Sequence, residues 1–286
     1  MKALAWLCRS AALSCAVLAL HTLPGTTGPA GAAEEVPFIT TPDRVALAML
    51  EIANVDASDT LIDLGSGDGR IVILAAKRFG ARGLGVEIVP DLVRQSVLNA
   101  QRAGVESRVE FREQDLFQTD LSQATVITLY LLPEVNLELR PSLLGLQAGT
   151  RIVSHDWDMG EWRPDRTVTI PVSEKAVGMD KFSRVHLWVV PAQIHGLWCG
   201  QGRARGAALR VTQDFQRFSA RLGGVAEIEG FDGRIDAAVL HAGSQGEIQM
   251  QQRGDRLLMI RSEGRYAALD GVAFARTTAG GCERKP

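Results

Sequence analysis

The chain carries two kinds of hydrophobic pattern, and the change between them falls at Pro191. Before that residue, short apolar runs typical of buried strands alternate with segments whose apolar residues recur at helical spacing. The predicted strands are 60–64, 83–87, 109–114, 126–131 and 151–154, and the predicted helices are 70–79, 90–103 and about 135–146. Strands that alternate with helices indicate a parallel sheet covered on both faces. Two further runs, 167–171 and 185–190, have no obvious helix between them and predict an antiparallel pair at the sheet edge.

One more helix is predicted ahead of the first strand. Val45, Met49 and Ile52 recur at helical spacing. Thr41 is a good N-cap and Pro42 suits the first helical position, so we expect the helix to begin there.

After Pro191 the pattern becomes a strict alternation of apolar and polar residues, interrupted by glycine about every ten residues. This pattern predicts an antiparallel meander that closes, or half closes, into a small β-barrel. Cys199 lies in the first predicted strand and Cys282 follows the last. Closure makes these strands neighbours and favours a disulfide between the two cysteines, although two unrelated thiols remain the alternative.

Composition and charge narrow the classes of function. The 286 residues are long enough for two domains, and 46% of them are hydrophobic, which indicates a folded protein. The formal net charge is −2 with no block of basic residues, so neither nucleic acid nor another large polyanion is an expected partner. The pattern does not indicate an oligomeric state. We predict three segments, 1–33, 34–191 and 192–286.

The first of these segments has the layout of a secretory signal peptide. Lys2 and Arg9 flank a short start, 11–20 is apolar, and Ala30-Gly-Ala32 offers a small-residue cleavage site. The apolar run is short for a span, which needs roughly 20 residues. We therefore expect an exported protein, periplasmic or secreted, with no stable membrane span after cleavage. An uncleaved membrane anchor is the alternative.

Candidate chemistry begins where the first strand meets a glycine-rich turn, Asp63-Leu-Gly-Ser-Gly-Asp-Gly-Arg70. A dinucleotide fingerprint has its third glycine three positions after the second, and here Arg70 occupies that position. The variant suits a ligand without pyrophosphate, and S-adenosylmethionine is the candidate. Asp63 would reach the ammonium of its methionine moiety, or would only brace the loop. Four loop residues would line the ligand, unless the turn is purely structural: Gly65, Ser66, Gly67 and Gly69.

Two further acidic residues follow the next strands in order. Glu87 ends the second strand, where a carboxylate can accept hydrogen bonds from ribose hydroxyls, or is simply a surface residue. Asp115 follows the third strand and would accept from an adenine amine, with Leu116 and Phe117 packed on the ring. The alternative for Asp115 is the cap of a short helix.

With these strand ends in order, residues 36–190 resemble the class I S-adenosylmethionine-dependent methyltransferases. A narrower resemblance, to the protein-lysine methyltransferases that include broad-specificity archaeal enzymes and the mitochondrial lysine methyltransferase of ATP synthase, rests on five segments: Pro37-Phe-Ile-Thr-Thr-Pro42, 63–70, Thr128-Leu-Tyr-Leu-Leu-Pro133, Leu139-Arg-Pro141 and Ser154-His-Asp156. The resemblance implies a Rossmann-like seven-stranded sheet, S-adenosylmethionine as cofactor and a protein lysine as methyl acceptor. It also implies that Thr40 and Thr41 fold over the cofactor and that Thr128 to Tyr130 form the floor where methyl meets acceptor. The predicted barrel lies outside the resemblance.

Methyl transfer to an amine needs a neutral amine, in-line approach and exclusion of water, and it does not require a strong base. Tyr130 would hold the amine by its hydroxyl or its ring face, or would only pack in the core. His155 and Asp156 would position the acceptor or relay its proton, or would form a plain turn. Asn136 caps its helix or contacts substrate. No Cys/His spacing indicates a metal site.

Three functions fit these residues. The first is a methyltransferase acting on an envelope or membrane-proximal protein lysine, and the second is a methyltransferase acting on a small molecule. The third is an exported, non-enzymatic module that binds an adenosine-type ligand. Asp63, Glu87 and Asp115 together favour cofactor binding, and they do not distinguish binding from turnover.

Overall fold

The structure, a computed structural model, describes residues 39–173, 180–224, 228–243, 246–278 and 281–282. The predicted signal peptide, 1–33, lies outside these residues. From Ile39 onward the described chain belongs to one compact unit. In this described part, no helix has both the length and the apolar character needed to cross a membrane.

The first half of the fold is a seven-stranded sheet with helices on both faces. Its strands follow the order β3-β2-β1-β4-β5-β7-β6, in which the first five are parallel and β7 runs antiparallel to both its neighbours. The elements are α1 (Asp43–Ile52), β1 (Thr60–Leu64), α2 (Arg70–Leu74), β2 (Arg82–Glu87), α3 (Pro90–Ala103), β3 (Val109–Glu113), β4 (Val126–Leu129), α4 (Pro133–Leu144), β5 (Arg151–His155), β6 (Arg166–Pro171) and β7 (Phe182–Val189). This arrangement confirms the predicted Rossmann-like sheet. Because the chain reverses direction across the sheet between β1 and β4, a crevice for a ligand opens beyond their carboxyl ends.

Side chains alternate between two apolar layers, as the pleat of a strand requires. Leu61 of β1 packs with Met49 and Leu50 of α1 on one face. Its neighbour Ile62 packs with Leu143 of α4 on the other. Burial on both faces explains why these strands read as continuous apolar runs.

Two local details differ from the sequence predictions. Helix α1 begins at Asp43, because Pro42 rather than Thr41 is its N-cap and accepts hydrogen bonds from the amides of Val45 and Ala46 through its carbonyl. The hydroxyl of Thr41 makes no cap and instead contacts His155. Helix α2 widens into a π-helical turn over Ala75–Phe79 before it ends at a left-handed glycine.

The second half is a closed eight-stranded barrel in which each strand pairs with its neighbours in sequence and the first pairs with the last. Its strands are β8 (Gly196–Gly200), β9 (Ala208–Asp214), β10 (Arg217–Gly223), β11 (Ile228–Asp236), β12 (Val239–Ala242), β13 (Ile248–Arg253), β14 (Arg256–Ser262) and β15 (Ala273–Thr277). Trp198, Phe218 and Phe274 lie among the apolar side chains that fill its interior, so the barrel is a packed core. Cys199 and Cys282 form the expected disulfide, with an S–S distance of 2.08 Å. The closed meander and its disulfide confirm the sequence prediction.

Candidate active site

The glycine loop lies between the carboxyl ends of β1 and β2. The amides of Gly65 and Ser66 both donate to the carbonyl of Val86, at 2.8 and 2.9 Å. Gly69 has a φ of +79°, and a Cβ there would lie 2.7 Å from the ring of Phe111. The loop therefore needs glycine, because a side chain would be both strained and obstructed.

Helix α3 and Arg70 hold this loop in place. The buried Ser96 hydroxyl donates to the carbonyl of Gly67 at 2.8 Å, and the Asn99 amide donates to the carbonyl of Asp68 at 3.0 Å. The Arg70 guanidinium forms two hydrogen bonds with the Asp68 carboxylate and a third, at 3.0 Å, with the carbonyl of Thr41. Neither residue was predicted from the sequence, because a serine and an asparagine on a helix do not reveal which distant loop they contact.

Asp63 lies at the end of β1 and is only 3% exposed. Burial raises its pKa from an ordinary 3.8 to about 7, the hydrogen bond from Thr128 opposes that rise, and the negative charges of Glu87 and Asp68 add to it. The Thr128 hydroxyl donates to its Oδ1 at 2.6 Å. Thr128 is itself fully buried, so it reaches the site through Asp63. A cation brought against this carboxyl group would favour its ionised form.

Glu87 is oriented by three backbone amides. Its Oε2 accepts from Gly67 at 2.9 Å, and its Oε1 accepts from Ile88 at 2.9 Å and from Val89 at 3.0 Å. The half-buried carboxylate therefore stands at the end of β2 beside the glycine loop, where a ribose was predicted.

Asp115 caps the short 3₁₀ turn Leu116–Gln118, which is the alternative considered for it. Its Oδ1 accepts from the amide of Phe117 at 2.9 Å and its Oδ2 from the side chain of Gln118 at 3.0 Å. Carboxylate oxygens accept more than one hydrogen bond, so a contact with an adenine amine stays a prediction. Leu116 is half-buried and Phe117 is 46% exposed, which leaves an apolar surface beside this turn.

These residues fit S-adenosylmethionine. A buried carboxyl group suits its cationic end, a fixed carboxylate suits two ribose hydroxyls, and an apolar edge suits adenine. Within the described residues, the Ser66 hydroxyl has no hydrogen-bond partner although it is buried, so the loop contains a polar atom for a ligand to satisfy.

The predicted acceptor side lies at the ends of β4 and β5. The rings of Tyr130 and His155 stack with centroids 3.9 Å apart. His155 is buried, with its Nδ1 3.2 Å from the hydroxyl of Thr41 and its Nε2 2.8 Å from the hydroxyl of Ser183. Its imidazole therefore lies beneath Tyr130 and is fixed on both nitrogens. Ser183, on β7, was not predicted, because only the fold brings it to this position.

Tyr130 is half-buried, and desolvation raises the pKa of its phenol, with a further contribution from the charge of Asp156. Tyr130 is therefore a neutral phenol at neutral pH. Asp156 has a φ of +63°, and its Oδ1 accepts from the amide of Arg184 at 2.8 Å. Its Oδ2 lies 3.4 Å from the Nε2 of His155.

Two other predicted positions are Thr40 and Asn136. Thr40 is exposed next to the buried Thr41. Asn136 of α4 is fully buried and lies 3.4 Å from the carbonyls of Trp157 and Asp158, so it contacts the chain that follows β5. Among the described residues, no group of three His, Cys, Asp or Glu side chains stands close enough to hold a metal ion.

Comparison with known proteins gives matches to a family model, to two lysine methyltransferases and to a solved structure. The family model of the ANTKMT methyltransferase domain matches residues 63–166. The protein-lysine N-methyltransferase of Saccharolobus islandicus (strain REY15A) is 42% identical over 137 residues, which are 47% of this chain and 85% of that relative. The Mus musculus lysine N-methyltransferase of ATP synthase is 38% identical over 108 residues, 37% of this chain and 43% of the mouse protein.

A solved structure described as an RNA methyltransferase from Salinibacter ruber, in complex with S-adenosyl-L-homocysteine, is 54% identical. The match covers 55% of this chain and 96% of that one, with a TM-score of 0.49.

Proposed function

This chain belongs to the protein-lysine N-methyltransferase family, and we propose that it transfers a methyl group from S-adenosylmethionine to the side-chain amine of a lysine in a protein. The family membership, the enzyme class and the cofactor predicted from the sequence are thereby confirmed. An exported module that only binds a ligand is not favoured. The chain spans less than half of the mouse relative, so the acceptor and the activity of the whole protein are our proposal.

One observation carries this proposal: the cofactor residues and the predicted acceptor residues meet on neighbouring strands. The 2.6 Å hydrogen bond between Thr128 and Asp63 joins β4 to β1 at the cofactor side. Tyr130 comes directly after the end of β4, two residues after Thr128, and stacks on His155. An amine held at Tyr130 therefore lies next to the place where Asp63 holds the cationic part of the cofactor.

Bound S-adenosylmethionine supplies an electrophilic methyl group on a sulfonium centre. The acceptor nitrogen needs its lone pair for the attack, so the lysine must lose its proton to solvent beforehand. The neutral Tyr130 phenol accepts a hydrogen bond from the amine, and its ring face stabilises positive charge as the new N–C bond forms. Partial burial of the ring keeps water away from the reacting atoms.

We assign a positioning role to His155, because its buried ring supports Tyr130 from below. The hydroxyls of Thr41 and Ser183 hold the imidazole from opposite sides, which fixes the plane on which Tyr130 stacks. Asp156, with 22% of its side chain exposed, is the charged group of this cluster that can face a substrate amine.

The proposal is tested by incubating the protein with methyl-tritiated S-adenosylmethionine and three acceptor pools: proteins, total RNA and small metabolites of a cell extract. We expect label in protein, recovered as methylated lysine after acid hydrolysis. Label confined to the RNA or metabolite pool would overturn the choice of acceptor. Absence of label from all three would overturn the activity.

Tyr130→Phe provides the matched test of the site. We expect it to lower the transfer rate by about tenfold, the scale of one lost hydrogen bond to a charged or reacting group. Calorimetry should show unchanged cofactor affinity. Tyr266→Phe is the control, since Tyr266 is the other tyrosine of the chain and is buried in the barrel.

We propose further that the chain is exported, to the periplasm or outside the cell. The support is the charged start, apolar run and cleavage-site pattern of 1–33, which lie outside the described residues. N-terminal sequencing of the mature protein tests this, and we expect a start just after Ala32 or Ala33. A mature chain that begins at Met1 would contradict cleavage.

A further inference from the structure

The turn between β9 and β10 of the barrel contacts the segment that links β5 to β6 of the methyltransferase sheet. It consists of Phe215, which has a φ of +50°, and Gln216, which is only 5% exposed. The backbone carbonyl of Gln216 accepts from the amide of Ile235 at 2.7 Å, which ties the turn to β11. A buried glutamine in a hairpin turn needs partners for both ends of its amide.

Those partners lie in the chain that links β5 to β6. The indole N–H of Trp162 donates to Oε1 of Gln216 at 3.0 Å, and Nε2 of Gln216 donates to Oδ2 of Asp165 at 3.0 Å. The ring of Phe215 stacks on Trp162 with a centroid distance of 6.2 Å and an interplanar angle of 11°. Arg234 of β11 also forms an ion pair with Asp165. The barrel therefore contacts the end of this linking segment that lies nearer β6, through both hydrogen bonds and ring contact.

The near end of the same segment is the acceptor side of the active site. It starts at Asp156 and runs through the half-exposed Trp157 to Trp162, and we call residues 156–165 the acceptor loop. Helix α4 holds the middle of this loop, since Arg140 donates to the carbonyl of Met159 at 2.9 Å. The fully buried Trp162 is held at its carbonyl by the indole of Trp188, at 2.7 Å.

We propose that Gln216 is a positioning residue for methyl transfer: by holding Trp162, the barrel sets the conformation of the acceptor loop and so the place of Asp156 and Trp157. This inference rests on the proposed function. Gln216 lies outside the residues matched by the family model. In this proposal the barrel helps to position the residues that bind the methyl acceptor.

The experiment compares Gln216→Met, Trp162→Phe and the double variant. Methionine keeps the length of the side chain without its hydrogen bonds, and phenylalanine keeps a ring without the N–H. The matched control is Gln213→Met, on the same hairpin. Within the described residues the Gln213 amide contacts the backbone of Ala192, Ile194 and Phe215 and no residue of the acceptor loop.

Amide hydrogen exchange of the acceptor loop is the first readout, because it needs no substrate. We expect Gln216→Met to speed exchange across the loop at least fivefold, because it removes two hydrogen bonds to the loop and about fivefold is the scale of one. The double variant should fall short of the sum of the two single effects, since both single variants remove the hydrogen bond between Gln216 and Trp162 and only Gln216→Met also removes the one to Asp165. Gln213→Met should leave the loop unchanged. Equal effects of the two glutamine variants, or no effect of Gln216→Met, would overturn the proposal.

Steady-state kinetics then distinguish a loss of acceptor positioning from a general loss of folding stability. With a lysine-rich histone mixture as the acceptor probe, Gln216→Met should raise the acceptor KM or lower kcat about fivefold while calorimetric S-adenosylmethionine affinity stays unchanged. An equal loss of cofactor affinity would mean general destabilisation and would overturn the positioning role. If the wild-type protein methylated no protein at all, the proposed function would fail, whereas hydrogen exchange would still decide whether Gln216 holds the loop.

Discussion

The unusual state of Asp63 predicts that cofactor binding depends on pH. Its pKa lies at about 7 instead of 3.8 because the carboxyl group is buried and near two other acids. Each pKa unit corresponds to about 1.4 kcal/mol, so burial disfavours the ionised form by about 4 kcal/mol. The ligand-free protein therefore holds a proton on Asp63 that the unfolded chain releases, and this residue makes folding stability fall as pH rises from about 4 to about 7.

A cationic ligand reverses this preference, because it binds the ionised carboxylate better than the neutral acid. With a pKa of about 7, half of the molecules are ionised at pH 7 and about 3% at pH 5.5. We therefore expect S-adenosylmethionine affinity to rise about 15-fold between these two pH values. Binding at pH 6 should also release close to one proton.

Calorimetry in two buffers of different ionisation enthalpy measures both the cofactor affinity and the number of protons released on binding. Asp63→Asn should bind more weakly and should lose the pH dependence and the proton release. Asp59→Asn is the matched control: Asp59 is equally buried and accepts from the hydroxyl of Thr125 at 2.6 Å, but at the opposite end of β1. A wild-type affinity that is flat from pH 5.5 to 7, or a profile that Asp63→Asn leaves intact, would refute the reasoning.

Three further predictions follow from individual contacts. Thr128→Val removes the hydrogen bond that lowers the pKa of Asp63, so the rise of cofactor affinity should move to higher pH in the same calorimetric titration. Gly69→Ala places a methyl group 2.7 Å from an aromatic ring at a positive φ, and equilibrium dialysis should show cofactor affinity reduced at least tenfold while Gly104→Ala, in open space, has no such effect. Cys199→Ser should lower the unfolding free energy of the barrel by about 2–4 kcal/mol in denaturant titrations. Reduction of the wild-type Cys199–Cys282 bond should reproduce that loss, and equal midpoints with and without reductant would contradict it.

The cofactor half of the site could be predicted from the sequence because it is built from local pattern. Each candidate acid lies at or just after the end of a predicted strand, and the carboxyl ends of parallel strands share one edge of a sheet. The order Asp63, Glu87 and Asp115 therefore already places three carboxyl groups at the same crevice. The structure adds what holds the loop in place, namely its contacts with Ser96 and Asn99. These contacts join residues about thirty positions apart, so no short stretch of the sequence indicates them.

The acceptor half is built from contacts between distant residues, and there the sequence was less informative. His155 ends a strand, as predicted, but its burial depends on Thr41, which is 114 residues away, and on Ser183. The pairing of β5 with β7 sets the second contact, and no periodicity reveals which hydroxyl will face an imidazole. Thr41 shows the same limit. Threonine is a favoured N-cap residue, but its hydroxyl here contacts the distant His155 instead of capping α1.

This difference bears on how the two halves of the site can vary. The cofactor loop is held by α3 and β2, within the segment that the family model matches. The acceptor loop is also held from outside, by a barrel that the matched segment lacks, through the contact of Gln216 with Trp162. A change in that contact would move Asp156 and Trp157 without touching Asp63 or Glu87. The choice of methyl acceptor can therefore change independently of cofactor binding, and the β9–β10 turn is the place in this chain from which such a change would start.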